Sequence, residues 1–155
     1  MTEPRTVAGA GTGTPGTARP RSIALPVPLA VSAGGVLGAL ARYGLSVALP
    51  HPRGAFPWAT LLTNVSGCLL IGVLMVLVGE VWAGRRLLRP FLGVGVLGGY
   101  TTFSTSVVDV HQALAAGAAG TALAYLGATV AGALAGVWAG SALTARLLAS
   151  RGRRP

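Results

Sequence analysis

The sequence predicts an all-α integral membrane protein of four transmembrane helices, and three observations predict it. Mean hydropathy is +0.68 and only 10% of the 155 residues are charged, a composition that belongs to a bilayer rather than to water. Four apolar stretches are each long enough to cross about 30 Å of hydrocarbon, which takes about 20 helical residues. All twelve basic residues are arginine, and ten of them sit in three clusters outside those stretches.

The stretches run near Val27–Leu49, Pro57–Gly79, Pro90–Ala115 and Ala118–Leu143, joined by Pro50–Phe56, Glu80–Arg89 and a tight turn at Ala116–Gly117. Residues 1–26 read as a disordered cytoplasmic tail, because Thr2–Pro20 is rich in Gly, Thr, Ala and Pro. No small-residue cleavage site follows a short apolar core there, so the tail is not a signal peptide. Residues 27–145 form the helical subunit, and 146–155 a basic cytoplasmic tail. Arg5, Arg19 and Arg21 precede the first span, Arg85, Arg86 and Arg89 separate spans two and three, and Arg146, Arg151, Arg153 and Arg154 follow span four. The opposite side carries Arg53. The positive-inside rule therefore predicts a multi-pass protein with cytoplasmic N- and C-termini. The net charge of +9 is accounted for by this topology signal and by headgroup contact, with no call for nucleic acid.

Span one holds the glycine stripe Gly34, Gly35 and Gly38, a spacing that lets a neighbouring helix approach closely. Four residues on, Arg42 lies within the apolar run. A charge at a helix centre costs about 2.5–3.5 kcal/mol on insertion scales. Two readings stand: Arg42 snorkels to the interface, or it is a fixed positive charge in an aqueous vestibule that draws anions. Span two carries Thr60, Thr63, Asn64 and Ser66 near its start. Asn64 either glues two helices together or offers its NH2 donors to an anion. Cys68 is the only cysteine, so it makes no internal disulfide and supports no metal cluster.

Span three contains Gly98-Gly99-Tyr100-Thr101-Thr102-Phe103-Ser104-Thr105-Ser106, two glycines and then hydroxyl side chains around one phenylalanine. Unwound backbone at bilayer depth is tolerated only where it is buried in protein or lines a polar cavity. The third helix is therefore expected to break at Gly98–Thr102, and broken helices commonly present carbonyls and helix ends to an ion. Span four adds Tyr125 and Thr129, four residues apart on one face, and the stripe Gly132, Gly136 and Gly140. Helical hydroxyls often bond back to their own backbone, which weakens each of these signals taken alone.

The intramembrane polar set is thus donor-rich: Arg42, Asn64, Thr101, Thr102, Ser104, Thr105, Tyr125 and Thr129. Asp109 is the one acidic residue near this set. A cation path would use acidic rings or inward carbonyls, so the set points to an anion path. The edge of the Phe103 ring carries partial positive charge and suits an anion as well.

These residues resemble the Fluc (CrcB) fluoride channels across all four spans. The resemblance rests on Gly34-Gly35-x-x-Gly38-Ala39-x-x-Arg42-Tyr43, on Phe56-Pro57-Trp58-x-Thr60-Leu61-x-x-Asn64-x-x-Gly67, and on Gly98-Gly99-Tyr100-Thr101-Thr102-Phe103-Ser104-Thr105. It implies a fluoride-selective channel giving passive efflux of cytoplasmic fluoride across the cell membrane. The implied assembly is an antiparallel dimer of four-helix subunits, either a homodimer or a heterodimer with an oppositely oriented homologue. It also implies a structural, untransported sodium ion held by backbone carbonyls of Gly98 and Thr101. The implied fluoride pore uses Asn64, Phe103, Ser104, Thr105, Tyr125 and Thr129, with Arg42 in the vestibule. Ser106 departs from the family pattern, which usually has a second pore phenylalanine there, and Asp109 replaces a common glutamate. The arginine bias favours one-way insertion, hence a heterodimer.

Three other classes compete. The Gly/Ala stripes would suffice for a non-conducting membrane scaffold, which leaves the Gly98–Ser106 break unexplained. Small four-helix exporters of cationic drugs also form antiparallel dimers, but they need a carboxylate in the first span, where this chain has Arg42. An enzyme is disfavoured because no nucleophile–base pair or metal-ligand cluster appears. His51 and His111, near span ends, read as interfacial residues.

Overall fold

The computed structural model describes residues 26–82 and 84–152; the expected N-terminal tail through residue 25 and the last three residues lie outside them. The described residues form helices joined by short non-helical links, without strands: α1 (Pro26–Ala48), α2 (Trp58–Glu80), a π-wound stretch Arg89–Leu97 that continues into α3 (Gly98–Tyr100), α4 (Ser104–Ala115) and α5 (Ala119–Gly152). Four spans are long and apolar enough to cross a membrane, the third comprising Arg89–Ala115. At 23 residues each, α1 and α2 rise about 35 Å. The fourth helix extends nine residues beyond its expected end at Leu143, through Arg146 and Arg151. No helix breaker stands there, and arginine is a good helix former.

Two helix pairs make the body of the subunit. α1 lies against the π-wound stretch and α3, and α2 lies along α5, which also receives α4. Glycine lets these backbones meet. A Cβ at Gly34 would strike the Phe91 carbonyl, one at Gly38 the Val96 carbonyl, and one at Gly140 the Leu69 carbonyl. Both stripes read from the sequence therefore face a neighbouring backbone at least at these positions, as close packing between membrane helices requires.

The interior is inverted relative to a water-soluble bundle. Leu40, Val94, Leu134 and Trp138 face outward, while Thr60, Thr63, Asn64, Thr102, Ser106 and Asp109 are buried. Lipid tails are as apolar as leucine, so burying apolar surface gives little gain in a bilayer, whereas polar groups there need partners.

The interruption of the third span begins three residues later than expected and ends one residue later, sharing Thr101 and Thr102 with the expected break. Gly98–Tyr100 is helical, and the non-helical residues are Thr101, Thr102 and Phe103, with Thr101 extended at φ −76°, ψ 156°. The glycines are not the breakers. A Cβ at Gly99 would strike the carbonyl of Gly35, so this glycine serves contact with α1 while its own backbone stays helical.

Candidate functional site

The interruption is built by side chains that capture backbone groups. In a continuous α-helix the Thr102 N–H would bond the Gly98 carbonyl and the Thr105 N–H the Thr101 carbonyl. Here Asn64 Oδ1 accepts the Thr102 N–H at 2.9 Å, and Thr102 Oγ1 accepts the Thr105 N–H at 3.2 Å. The carbonyls of Gly98 and Thr101 lose their α-helical donors as a result.

Asn64 clamps the opposite side of the same residue. Its Nδ2 donates to the Thr102 carbonyl and to Ser106 Oγ, both at 2.9 Å, and Ser106 Oγ donates to the Thr102 carbonyl at 3.1 Å. Of the two readings for Asn64, this geometry realises the helix-joining one: both N–H bonds of its amide are engaged within the chain. Gly67, one turn further along α2, makes room for the interruption, since a Cβ there would strike the Thr101 methyl. Ser66 adds a hydroxyl contact of 2.9 Å to Tyr100.

A second cluster ties the link between α1 and α2 to α4. Thr60 Oγ1 donates to Asp109 Oδ2 at 2.6 Å, and His51 Nε2 stands 3.7 Å from Asp109 Oδ1. His51 is therefore not a free interfacial residue, whereas His111 is exposed. Phe56 packs at a tilt against Trp58 with centroids 4.6 Å apart and meets Tyr125 edge-on at 5.8 Å. The link thus reaches both α4 and α5. Sequence reading missed the Thr60–Asp109 bond, because nothing local couples residues 49 positions apart. The available signal was a single acid within a span facing threonines on another.

The expected site residues divide between two cavities. Asn64, Phe103, Tyr125 and Thr129 line a cavity of about 580 Å³ with Gly98, Thr101 and Ser106. Thr105 instead joins Arg42 around a smaller cavity of about 200 Å³ walled by Thr60, Thr63 and Thr102. Ser104 is exposed at the start of α4. Arg42 is half-buried and has no acidic partner among the described residues. In the larger cavity Thr129 Oγ1 donates back to the Tyr125 carbonyl at 2.8 Å. The Tyr125 hydroxyl differs: the residue is 1% exposed, and its Oη has no hydrogen-bond partner among the described residues. Phe103 is 83% exposed, the opposite of a core aromatic.

Four apolar spans around a polar, side-chain-held helix interruption define a multi-pass membrane protein. The family model of the CrcB-like proteins, described as Camphor Resistance (CrcB), matches residues 29–141, and the chain belongs to that family. It is 58% identical to "Fluoride-specific ion channel FluC 2" of Nocardia farcinica over 73% of this chain and 81% of that one. It is 50% identical to "Fluoride-specific ion channel FluC 1" of Streptomyces coelicolor over 79% and 80%, and 52% identical to "Fluoride-specific ion channel FluC 2" of Thermobifida fusca over 79% and 91%. These relatives are channels by name, not enzymes or drug exporters.

Proposed function

We propose that the chain is a subunit of a fluoride-selective channel that lets cytoplasmic fluoride leave the cell passively, down its gradient. The observation that carries the reading is the larger cavity beside the interruption, which joins hydroxyl and amide groups to a buried, unpartnered Tyr125 O–H. A buried donor without an acceptor is costly, and an anion in the cavity would relieve it. Asp109, the one buried carboxylate among the described residues, is engaged by Thr60 and His51, so it does not oppose a passing anion as a bare charge would. Fluoride is small and strongly hydrated and enters a narrow path only where donors replace its water, each weakly enough to let it go. Tyr125, the Asn64 amide and the ring edge of Phe103 would act in succession, with Ser104, Thr105 and Thr129 contributing hydroxyls and Arg42 gathering anions in the vestibule.

The larger cavity is not fully enclosed, and Phe103 on its wall is almost wholly exposed. Both features support a second, oppositely oriented homologous subunit completing the wall. The arginine clusters support one orientation for this chain, with cytoplasmic termini in the cell membrane, and hence a heterodimer over a homodimer. Two relatives from Streptomyces avermitilis are numbered FluC 2 and FluC 3, the multiplicity that paired subunits require. The Gly98 and Thr101 carbonyls, deprived of their helical donors, suit a hard cation that takes oxygen ligands, and they would hold a structural sodium ion. That ion would supply fixed positive charge at the subunit contact.

Purified protein reconstituted in liposomes loaded with fluoride or chloride tests the reading with ion-selective electrodes. Rapid fluoride release with negligible chloride release is expected, from this chain alone or after co-reconstitution with an oppositely oriented homologue. Equal release of both anions, or release of neither in both preparations, would overturn it.

A further inference from the structure

Asn64 is saturated in this chain, yet its three bonds are not equivalent. Two of them close a ring with the backbone of one residue: Oδ1 accepts the Thr102 N–H, and Nδ2 donates to the Thr102 carbonyl. Opening that ring strands the buried Thr102 N–H, while the Thr102 carbonyl keeps its bond from Ser106. The third bond runs from the other Nδ2 hydrogen to Ser106 Oγ. A hydroxyl acceptor can turn, and Ser106 already spends its own proton on the Thr102 carbonyl. Asn64 and Ser106 both line the larger cavity. The Asn64–Ser106 bond is therefore the one that an occupant of the cavity can replace at least cost.

We infer that Ser106 is a positioning residue for Asn64: its hydroxyl keeps the second Asn64 N–H occupied while the cavity is empty, and yields that N–H to an entering anion. The exchange is balanced in hydrogen bonds. The anion gains one N–H donor, Ser106 keeps its bond to the Thr102 carbonyl, and the Asn64–Thr102 ring stays closed, so the interruption holds its shape as the ion passes. A phenylalanine or alanine at this position has no oxygen to accept the N–H. Ser106 thereby lowers the resting affinity of the site, since each anion must displace it. The identity of the anion as fluoride rests on the function proposed above; the Ser106 contact does not.

Asn64 is the only asparagine of the chain, which makes the inference directly readable. Protein labelled with nitrogen-15 at asparagine alone gives one side-chain NH2 pair by NMR in lipid nanodiscs. Both protons are expected at hydrogen-bonded positions in the wild type. Ser106→Ala should move one of them upfield, and Ser106→Thr, which retains the hydroxyl, should not. Sodium fluoride, and not sodium chloride, should shift that same proton in the wild type. In efflux assays Ser106→Ala should lower the half-saturating fluoride concentration several-fold, because no hydroxyl has to be displaced.

Two unmoved protons in Ser106→Ala would overturn the contact itself. A fluoride-insensitive proton in protein that conducts fluoride would overturn the exchange and leave a static bond. Protein that, alone and co-reconstituted with an oppositely oriented homologue, neither conducts fluoride nor responds to it removes the channel reading and the exchange together, while the Ser106→Ala spectrum still decides the contact.

Discussion

Asn64 is a clamp before it is a ligand, and its replacement separates the two roles. Asn64→Ala leaves the Thr102 N–H without a partner, and an unsatisfied buried group costs about 1–3 kcal/mol. Thermal unfolding in detergent should show that loss even without fluoride. Thr60 performs the same service for Asp109. Thr60→Val keeps the side-chain shape and removes the 2.6 Å donor, and hydrogen bonds to charged groups contribute about 1.5–3 kcal/mol. His51→Ala should cost less than about 1 kcal/mol, because its 3.7 Å contact is partly exposed and pairs of that kind contribute little. An equal melting shift for both variants would contradict this ranking.

At the level of elements, Gly67 is the position where α2 makes way for the interruption. Gly67→Ala would drive a methyl into the Thr101 methyl, and overpacking of this kind costs about 1–3 kcal/mol. Thr101→Ser removes the offending carbon, so the double variant should recover most of the loss in a melting experiment. Independent, additive effects would mean that the two do not meet. The spans themselves were legible, because an uninterrupted apolar run of membrane length leaves few alternatives. The place of the interruption was not. Gly98 and Gly99 look like breakers, yet the chain departs from the helix where Asn64, 38 residues away, captures the Thr102 N–H. Nor was the division of site residues between two cavities legible, since helix spacing puts Thr105 near Phe103 without saying which flank it faces.

For the whole molecule, charge placement and packing make separate demands. Ten arginines in the two tails, between spans two and three and at the end of α5, against a single one between spans one and two, predict a single orientation in the membrane. Protease protection of tags at either end should find one population with both termini on the same side. Replacing Arg85, Arg86 and Arg89 with glutamine should yield a mixture. Mixed orientation in the wild type would remove the argument for a partner of opposite bias. Packing, by contrast, leaves Phe103 almost wholly exposed on the wall of a partly open cavity.

The capture of the Thr102 N–H by a residue of another helix also bears on how the protein is made. Membrane helices insert first and associate afterwards. The third span enters the bilayer before Asn64 can reach it, with its own carbonyls as the only acceptors at hand for that N–H. It would cross as a helix more nearly continuous than the finished one. The polar interruption is then written into the span when α2 docks, so the bilayer is never asked to accept an open backbone before there is protein to shelter it.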